Sequence, residues 1–112
     1  MGTDGVKGQL GLMLLSVLSE GPAHGYAVIT ALRDRSDGLL ELTEGSVYPA
    51  LHRLEDAGLL ASRWEAVAGR RRRMYEITPE GLEALSSQHR EWRALVDAVN
   101  NVLRRPKQIG VA

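Results

Sequence analysis

The last third of the chain carries an apolar stripe with the spacing of a coiled coil. Hydrophobic residues and one histidine recur there at alternating steps of three and four positions: Leu82, Leu85, His89, Trp92, Val96, Val99 and Leu103. Thr78 is a good helix N-cap and Pro79 suits a first helical position. Because no further proline follows before Pro106, the spacing predicts a helix of about 25 residues, about 37 Å long.

This stripe also predicts an assembly. A single domain of 112 residues cannot cover so long an apolar face with its own remaining helices. The simplest cover is the first helix together with its twin from a second subunit, in a two-fold dimer. The residues expected at that interface are Leu10, Leu14, Leu85, His89, Trp92, Val96, Val99 and Leu103.

Two shorter helices are predicted in the first third of the chain. Over 9–19, apolar residues recur at three- and four-residue spacing and cover most of the circumference, so this helix is expected to be buried. Pro22 and the preceding glycine then interrupt it. A second helix is predicted over 25–36, with Tyr26, Ile29 and Leu32 in one apolar row.

The segment 42–59 is predicted to hold the central helix of the domain. Thr43 is a candidate N-cap and Gly58 a C-terminal stop, and Val47, Leu51 and Leu54 form an inward stripe between them. The other faces carry Ser46, Tyr48, Pro49, His52 and Arg53. Two short helices, of which the second has a polar N-terminal half, are typical of a helix-turn-helix that enters a DNA major groove. An ordinary amphipathic surface helix is the alternative.

A β-hairpin is predicted over 60–77, where residues alternate at period two before and after a connection over 68–71 that contains one glycine. We expect its tip to carry the arginine run 70–73, with no acidic residue to pair it. A solvated charge run and a contact with phosphates or a minor groove both explain such a cluster. The absence of an acidic residue that could pair with the arginines favours a contact with DNA. The predicted fold is therefore mainly α with a small β-hairpin: a winged helix-turn-helix followed by a long C-terminal dimerisation helix.

Composition and charge exclude several classes of protein. The net charge is zero, with 14 basic and 14 acidic residues, but the charges are segregated, so the field at the hairpin is locally basic. With no cysteine and three scattered histidines, neither a metal site nor a cofactor is expected. No nucleophile with a neighbouring base can be assembled, so we expect no enzyme. No segment is long enough to span a bilayer, so we expect a cytoplasmic protein.

Taken together, these motifs resemble the PadR family of bacterial transcriptional regulators. The residues that carry the resemblance lie at 22–26, 44–54, 58–60, 69–72 and 75–81, within a match that runs from about Leu10 to Leu103. The chain is similar to the short members of the family, which end in a single dimerising helix. The family pattern has a second glycine at the wing tip and an aromatic beside Tyr75, where this chain has Ala68 and Met74.

The resemblance implies roles for individual residues. Ser46, Tyr48, Pro49 and Arg53 fall where the recognition helix of the family meets DNA, His24 and Tyr26 where the preceding helix supports it, and Gly69 to Arg72 on the wing. With Thr43 at the start of the recognition helix and Arg73 in the arginine run, the predicted DNA-binding set is His24, Tyr26, Thr43, Ser46, Tyr48, Pro49, Arg53, Gly69, Arg70, Arg71, Arg72 and Arg73.

Trp92 has two open roles. In short members related to multidrug-responsive repressors, an aromatic residue at this place lines a cavity at the dimer centre and stacks on flat ligands. The resemblance thus implies a small aromatic or hydrophobic inducer held by Trp92 and Val96. The alternative is that Trp92 only fills the dimer interface.

The predicted organisation is a flexible arm over 1–8, a winged helix-turn-helix over 9–78, a dimerisation helix over 79–105 and a flexible tail over 106–112. The predicted function is that of a dimeric, sequence-specific repressor of transcription that binds double-stranded DNA and no membrane. A winged-helix module whose basic hairpin binds an acidic protein is the alternative. The hydroxyls of Ser46 and Tyr48, which we expect to be exposed, favour DNA as the polar partner.

Overall fold

The computed structural model describes residues 8–104 as four helices and a three-stranded antiparallel sheet. In chain order the elements are α1 (Leu10–Leu18), β1 (Ala23–His24), α2 (Gly25–Arg35), α3 (Glu44–Asp56), β2 (Leu60–Val67), β3 (Arg70–Ile77) and α4 (Pro79–Leu103). The predicted helices and the hairpin are all present. The predicted tail over 106–112 and, apart from Gly8, the predicted arm over 1–8 lie outside the described residues.

The core lies where α1, α2 and α3 meet the sheet. As predicted, α1 is buried over most of its circumference, and Leu14 and Leu15 are completely buried. Full burial of an aliphatic side chain stabilises the fold by about 1.5–3 kcal/mol. The buried hydrophobic residues are Leu10, Leu14, Leu15, Val17, Leu18, Val28, Leu32, Leu42, Val47, Ala50, Leu51, Leu60 and Tyr75.

Two residues lie elsewhere than their spacing predicts. Leu14 is expected at the dimer interface, but its own chain covers it completely, so it is a core residue with no surface left for a partner subunit. Tyr26 is expected in the apolar row of α2, but its side chain is 56% exposed. Leu32 of the predicted row is buried, together with Val28 four residues before it.

The termini of α3 are formed by the residues predicted for them. The hydroxyl of Thr43 accepts the backbone N–H of Ser46 at 3.3 Å, which satisfies one of the free N–H groups of the first turn. After the helix, Gly58 takes a positive φ of 81°, a conformation that glycine adopts without strain. Val47 and Leu51 face the core, and this fixes which side of α3 is turned outward.

The sheet has one strand more than the predicted hairpin. Its order is β1-β3-β2, and the two-residue β1 pairs with β3 through Ala23 opposite Tyr75 and His24 opposite Met74. The remaining two strands are joined by Ala68 and Gly69, whose φ angles are 51° and 78°. Positive φ at both central residues is the mark of a type I′ turn, which matches the twist of paired strands.

The hairpin tip is therefore shorter than expected. The arginine run belongs to β3, from its first residue onward, and not to the turn. Because successive side chains of a strand point to opposite faces, the four arginines divide between the two faces of the sheet. Arg71 and Arg73 share one face, and Arg70 and Arg72 share the other.

The long helix α4 starts against the sheet and then extends from the domain. The hydroxyl of Thr78 accepts the N–H of Gly81 at 3.0 Å and donates to the carbonyl oxygen of Gly58 at 2.7 Å. Leu85 packs partly against the core, but the later apolar side chains are exposed: Trp92, Leu95, Val99, Val102 and Leu103. The described chain is 68 Å long in its largest dimension, and it leaves this face of α4 uncovered.

Candidate nucleic-acid interface

The outer surface of α3 carries the polar residues predicted for it. Ser46, Pro49 and Arg53 are exposed, as is Thr43 at the N-cap. The hydroxyls of Thr43 and Ser46 are 3.3 Å apart and hydrogen-bonded to each other. Since Val47 and Leu51 anchor the opposite side in the core, the helix has one side free for a large partner.

Tyr48 is less exposed than expected, and its position is fixed by a glycine. Its ring lies against Gly25, the first residue of α2, where an added Cβ would be only 2.6 Å from Cζ of the tyrosine. The side chain is half-buried and packs against the core. Tyr48 thus joins α2 to α3 as well as lining the outer surface.

A cleft lies between α3 and the hairpin. Its lining residues come from α3, both strands of the hairpin and the short β1: His24, Tyr48, Trp64, Arg71, Arg72 and Arg73. Five of these six belong to the predicted DNA-binding set. The structure therefore brings together residues that are far apart in the sequence.

Arg73 is not a free cation, contrary to the expectation that the run has no acid to pair it. Its Nε donates to Oγ of Ser62 at 2.9 Å, and its guanidinium lies 3.8 Å from Oε2 of Glu55. Ser62 in turn donates to the same carboxylate oxygen at 2.6 Å. Within residues 8–104, none of the ion pairs includes the other three arginines of the run, 70–72.

Trp64 is a part of this surface that the sequence analysis did not single out. The guanidinium carbon of Arg71 lies 4.9 Å from the centroid of the indole, and that of Arg73 lies 5.3 Å from it. Both distances are within the range of a cation–π interaction. The signal was available, because a two-residue turn at Ala68 and Gly69 places Trp64 directly opposite Arg73.

His24 has a structural role beside the cleft. Its Nδ1 accepts the backbone N–H of Ala27 at 3.2 Å and so caps α2. Burial, and secondly the charge of Arg72, lower the pKa of His24 below its usual value of 6.5. An accepting Nδ1 leaves the proton of the neutral ring on Nε2. Next to it, the exposed Tyr26 begins the outer surface of α2.

The candidate ligand residues on α4 lie apart from this cleft. Trp92 is 39% exposed and lines a groove with the start of α1, whose walls are Gly8, Gln9, Leu12, Gln88, Glu91, Trp92 and Leu95. Val96, the other predicted ligand residue, is half-buried and is not part of this groove. Over the described range there is no group of three or more side chains that could hold a metal ion, and none of the helices there combines the length and apolar character that a membrane crossing requires.

The fold and the surface define a winged helix-turn-helix protein. The hairpin of β2 and β3 is the wing, and the long helix α4 follows it. The sequence profile described as "Transcriptional regulator PadR-like family" matches residues 14–87, and the chain belongs to that family. This membership agrees with the prediction made from the motifs of the sequence. A family of regulators also agrees with the expectation that the chain is not an enzyme.

Relatives of known sequence and structure support this assignment. The chain is 45% identical over 80 residues to transcriptional regulator Rv3488 of Mycobacterium tuberculosis, an alignment that covers 71% of this chain and 59% of that protein. A transcriptional regulator from Clostridium thermocellum has a TM-score of 0.82 and 31% identity, over 90% of this chain and 96% of its own. A PadR family regulator from Eggerthella lenta has a TM-score of 0.77 and 37% identity, over 88% and 84%.

Proposed function

We propose that the protein binds double-stranded DNA with sequence specificity, with α3 in the major groove and the hairpin against the neighbouring backbone or minor groove. One observation carries this proposal: Arg70, Arg71 and Arg72 have no carboxylate partner within the described chain, and Arg71 and Arg72 line the cleft beside Tyr48 of α3. Guanidinium groups without a carboxylate partner are suited to phosphate oxygens and to narrow minor grooves.

The proposed contacts fall into two kinds. Ser46 and Arg53 present a hydroxyl and a guanidinium to base edges or nearby phosphates, and these side chains contribute to specificity. The free arginines of β3 contact the backbone, which contributes affinity for any sequence and makes binding depend on salt. His24 and Tyr26 support the first kind of contact from the start of α2. The net charge of zero is compatible with this division, because binding to phosphates depends on the local electrostatic field at the hairpin and not on the total charge.

We also propose that the active form is a two-fold dimer joined through α4. The exposed apolar side chains of its second half are Trp92, Leu95, Val99, Val102 and Leu103, and a second copy of the same helix is a complementary cover for them. A two-fold dimer would present two copies of α3 to half-sites about 34 Å apart, one turn of DNA. Leu14 is excluded from this interface by its burial, and Leu10, which is 8% exposed, has little surface left for it.

Repression and its relief follow from this arrangement. A dimer bound over a promoter would block transcription. This activity would take place in the cytoplasm, where the DNA lies. The groove that contains Trp92 adjoins the proposed interface, and a flat hydrophobic inducer that stacks on the indole would alter how the two copies of α4 pack. Such a change would alter the spacing of the two recognition helices. The filling of the interface by Trp92 alone remains the alternative.

The test is a selection followed by a competition. The purified protein is used to select duplexes from a random-sequence library, and the enriched duplex is titrated in a mobility-shift assay against a scrambled duplex of the same composition. We expect the enriched duplex to contain an inverted repeat and to bind at least about 10³-fold more tightly than the scrambled one. Equal affinity for both, or no binding, would favour a module that binds an acidic protein.

A further inference from the structure

A continuous series of side chains connects the C-terminal half of α3 to the tip of the wing. Glu55 on α3 accepts from Ser62 on β2, and Arg73 on β3 bonds to Ser62 and faces the same carboxylate. The guanidinium of Arg73 then lies over Trp64, whose ring also contacts the guanidinium of Arg71. We call this series, Glu55–Ser62–Arg73–Trp64–Arg71, the wing tether.

We infer that Glu55 and Ser62 are positioning residues for DNA recognition, which set the angle of the wing relative to α3 and the placement of Arg71 beside the cleft. This inference rests on the proposed function, since it concerns how the same surface meets DNA. Residues 68–71 at the tip of the hairpin are exposed, so core packing does not fix the position of the tip. A hydrogen-bonded network of this kind constrains geometry more than a single exposed ion pair does.

Removal of Glu55 should change the affinity for the specific duplex in the direction opposite to that expected from simple electrostatics. Glu55 is a carboxylate beside a surface that would face phosphates, so on charge alone its removal should strengthen binding to every DNA. If Glu55 positions the wing, its removal weakens binding to the specific duplex, because α3 and the wing no longer engage together. At the same time it frees Arg73 to contact phosphate, which strengthens non-specific binding.

The test compares three variants on the enriched and the scrambled duplex. Glu55→Gln removes the carboxylate, and Ser62→Ala breaks the tether without a change of charge. Glu76→Gln is the matched control, because Glu76 lies on the same hairpin and pairs with Arg63 at 3.1 Å, outside the tether. Thermal unfolding of each variant shows that it is folded before its affinity is measured.

We expect Glu55→Gln and Ser62→Ala each to lower affinity for the enriched duplex about tenfold, the size of effect typical of coupled neighbours. For Glu55→Gln the salt dependence should become steeper by about 0.9 for each phosphate that a freed Arg73 contacts. Glu76→Gln should change the affinities for the two duplexes by the same factor. A rise in affinity for the enriched duplex on Glu55→Gln, or an unchanged ratio of the two affinities in both tether variants, would overturn the inference.

A measurement without DNA separates this inference from the proposed function. In a Trp92→Phe background, Trp64 is the one remaining tryptophan of the two in the sequence, and its emission reports on the tether. We expect acrylamide to quench Trp64 more strongly after Glu55→Gln or Ser62→Ala than in the Trp92→Phe protein alone. Glu76→Gln should leave the quenching unchanged. Unchanged quenching in the tether variants would refute the tether even if DNA binding is found. Failure of the parent protein to bind any duplex would refute the proposed function and be seen before any variant is made.

Discussion

The ring of Tyr48 lies across the backbone of Gly25, with the tyrosine Cζ 2.6 Å from the place where any side chain at residue 25 would begin. The first turn of α2 and the N-terminal half of α3 can approach closely only because residue 25 has no Cβ. The contact fixes the two helices of the helix-turn-helix relative to each other. It also orients a tyrosine that lines the proposed DNA surface.

Gly25→Ala should therefore weaken the fold and the function together. We expect a loss of about 1–3 kcal/mol in the free energy of unfolding, as for other overpacked sites, and weaker binding to the specific duplex because α3 is displaced. Urea denaturation and a mobility-shift titration measure the two effects. Gly11→Ala is the control, since an added Cβ there is 3.8 Å from Leu54 Cδ2, and inside a helix it should raise stability by up to about 1 kcal/mol. Similar effects of the two substitutions would contradict this account of Tyr48.

The wing turn contains a strained alanine. Ala68 has a φ of 51°, a left-handed conformation that costs a residue with a Cβ about 1–2 kcal/mol. We expect Ala68→Gly to raise the free energy of unfolding by about 1 kcal/mol and to leave the strand register unchanged. Ala61→Gly, in the exposed interior of β2, should instead lower it, because glycine weakens a strand. Loss of stability in Ala68→Gly would show that the turn is not strained.

The cap of α2 makes stability depend on pH. Because burial and the charge of Arg72 lower the pKa of His24 in the folded protein, the unfolded chain binds the proton more readily. The contribution of this group to stability is complete above the unfolded pKa of about 6.5 and is lost as the pH falls from there through the folded pKa.

His24→Asn separates this effect from other titrations. Asparagine is a good N-cap and does not titrate, so the variant should lose less stability than the parent between about pH 7.5 and pH 5. Urea midpoints measured across that range provide the comparison. Parallel pH profiles of parent and variant would rule out His24 as the titrating cap.

The exposed face of α4 predicts the oligomeric state. Val99→Asp places a charge in the centre of the proposed interface and should weaken the dimer at least about 30-fold, as measured by sedimentation equilibrium. Ala94→Asp is the control, since residue 94 is exposed and lies on the side of the helix away from the apolar stripe. A parent protein that is monomeric at micromolar concentration, or equal effects of both substitutions, would contradict a dimer built on α4.

Local sequence signals were enough to predict the helices, the hairpin and the family. Thr43 and Thr78 cap the helices for which they were proposed, and Val47 and Leu51 face the core as their spacing indicated. The two-residue β1 could not be predicted, because so short a strand has no periodicity and its partner, Tyr75, lies 52 residues from Ala23 along the chain. Its pairing is a result of tertiary packing.

The errors at the candidate site have the same origin. The sequence predicts a free Arg73 because it assigns the arginine run to a hairpin tip with no acid to pair it, whereas the partner Glu55 comes from another element. Tyr48 was expected to be exposed because its helical position is off the apolar stripe, whereas Gly25 of α2 provides a surface for its ring. Periodicity places a residue on a face of its own helix, but not against the neighbouring elements.

Sequence-specific binding of DNA through α3 and the wing is tested most directly by the salt dependence of binding to the enriched duplex. The parent protein is compared with the double variant Arg70→Ala, Arg71→Ala, and with Arg90→Ala, a control on α4 whose guanidinium donates to Ser86 Oγ at 2.9 Å. The double variant should bind more weakly than the parent. Its slope of log affinity against log salt should be reduced by about 0.9 for each phosphate that the wing no longer reaches. Arg90→Ala should leave the slope unchanged. An unchanged slope in the double variant would remove the wing from the DNA interface, and equal binding of enriched and scrambled duplexes by the parent would contradict sequence-specific recognition itself.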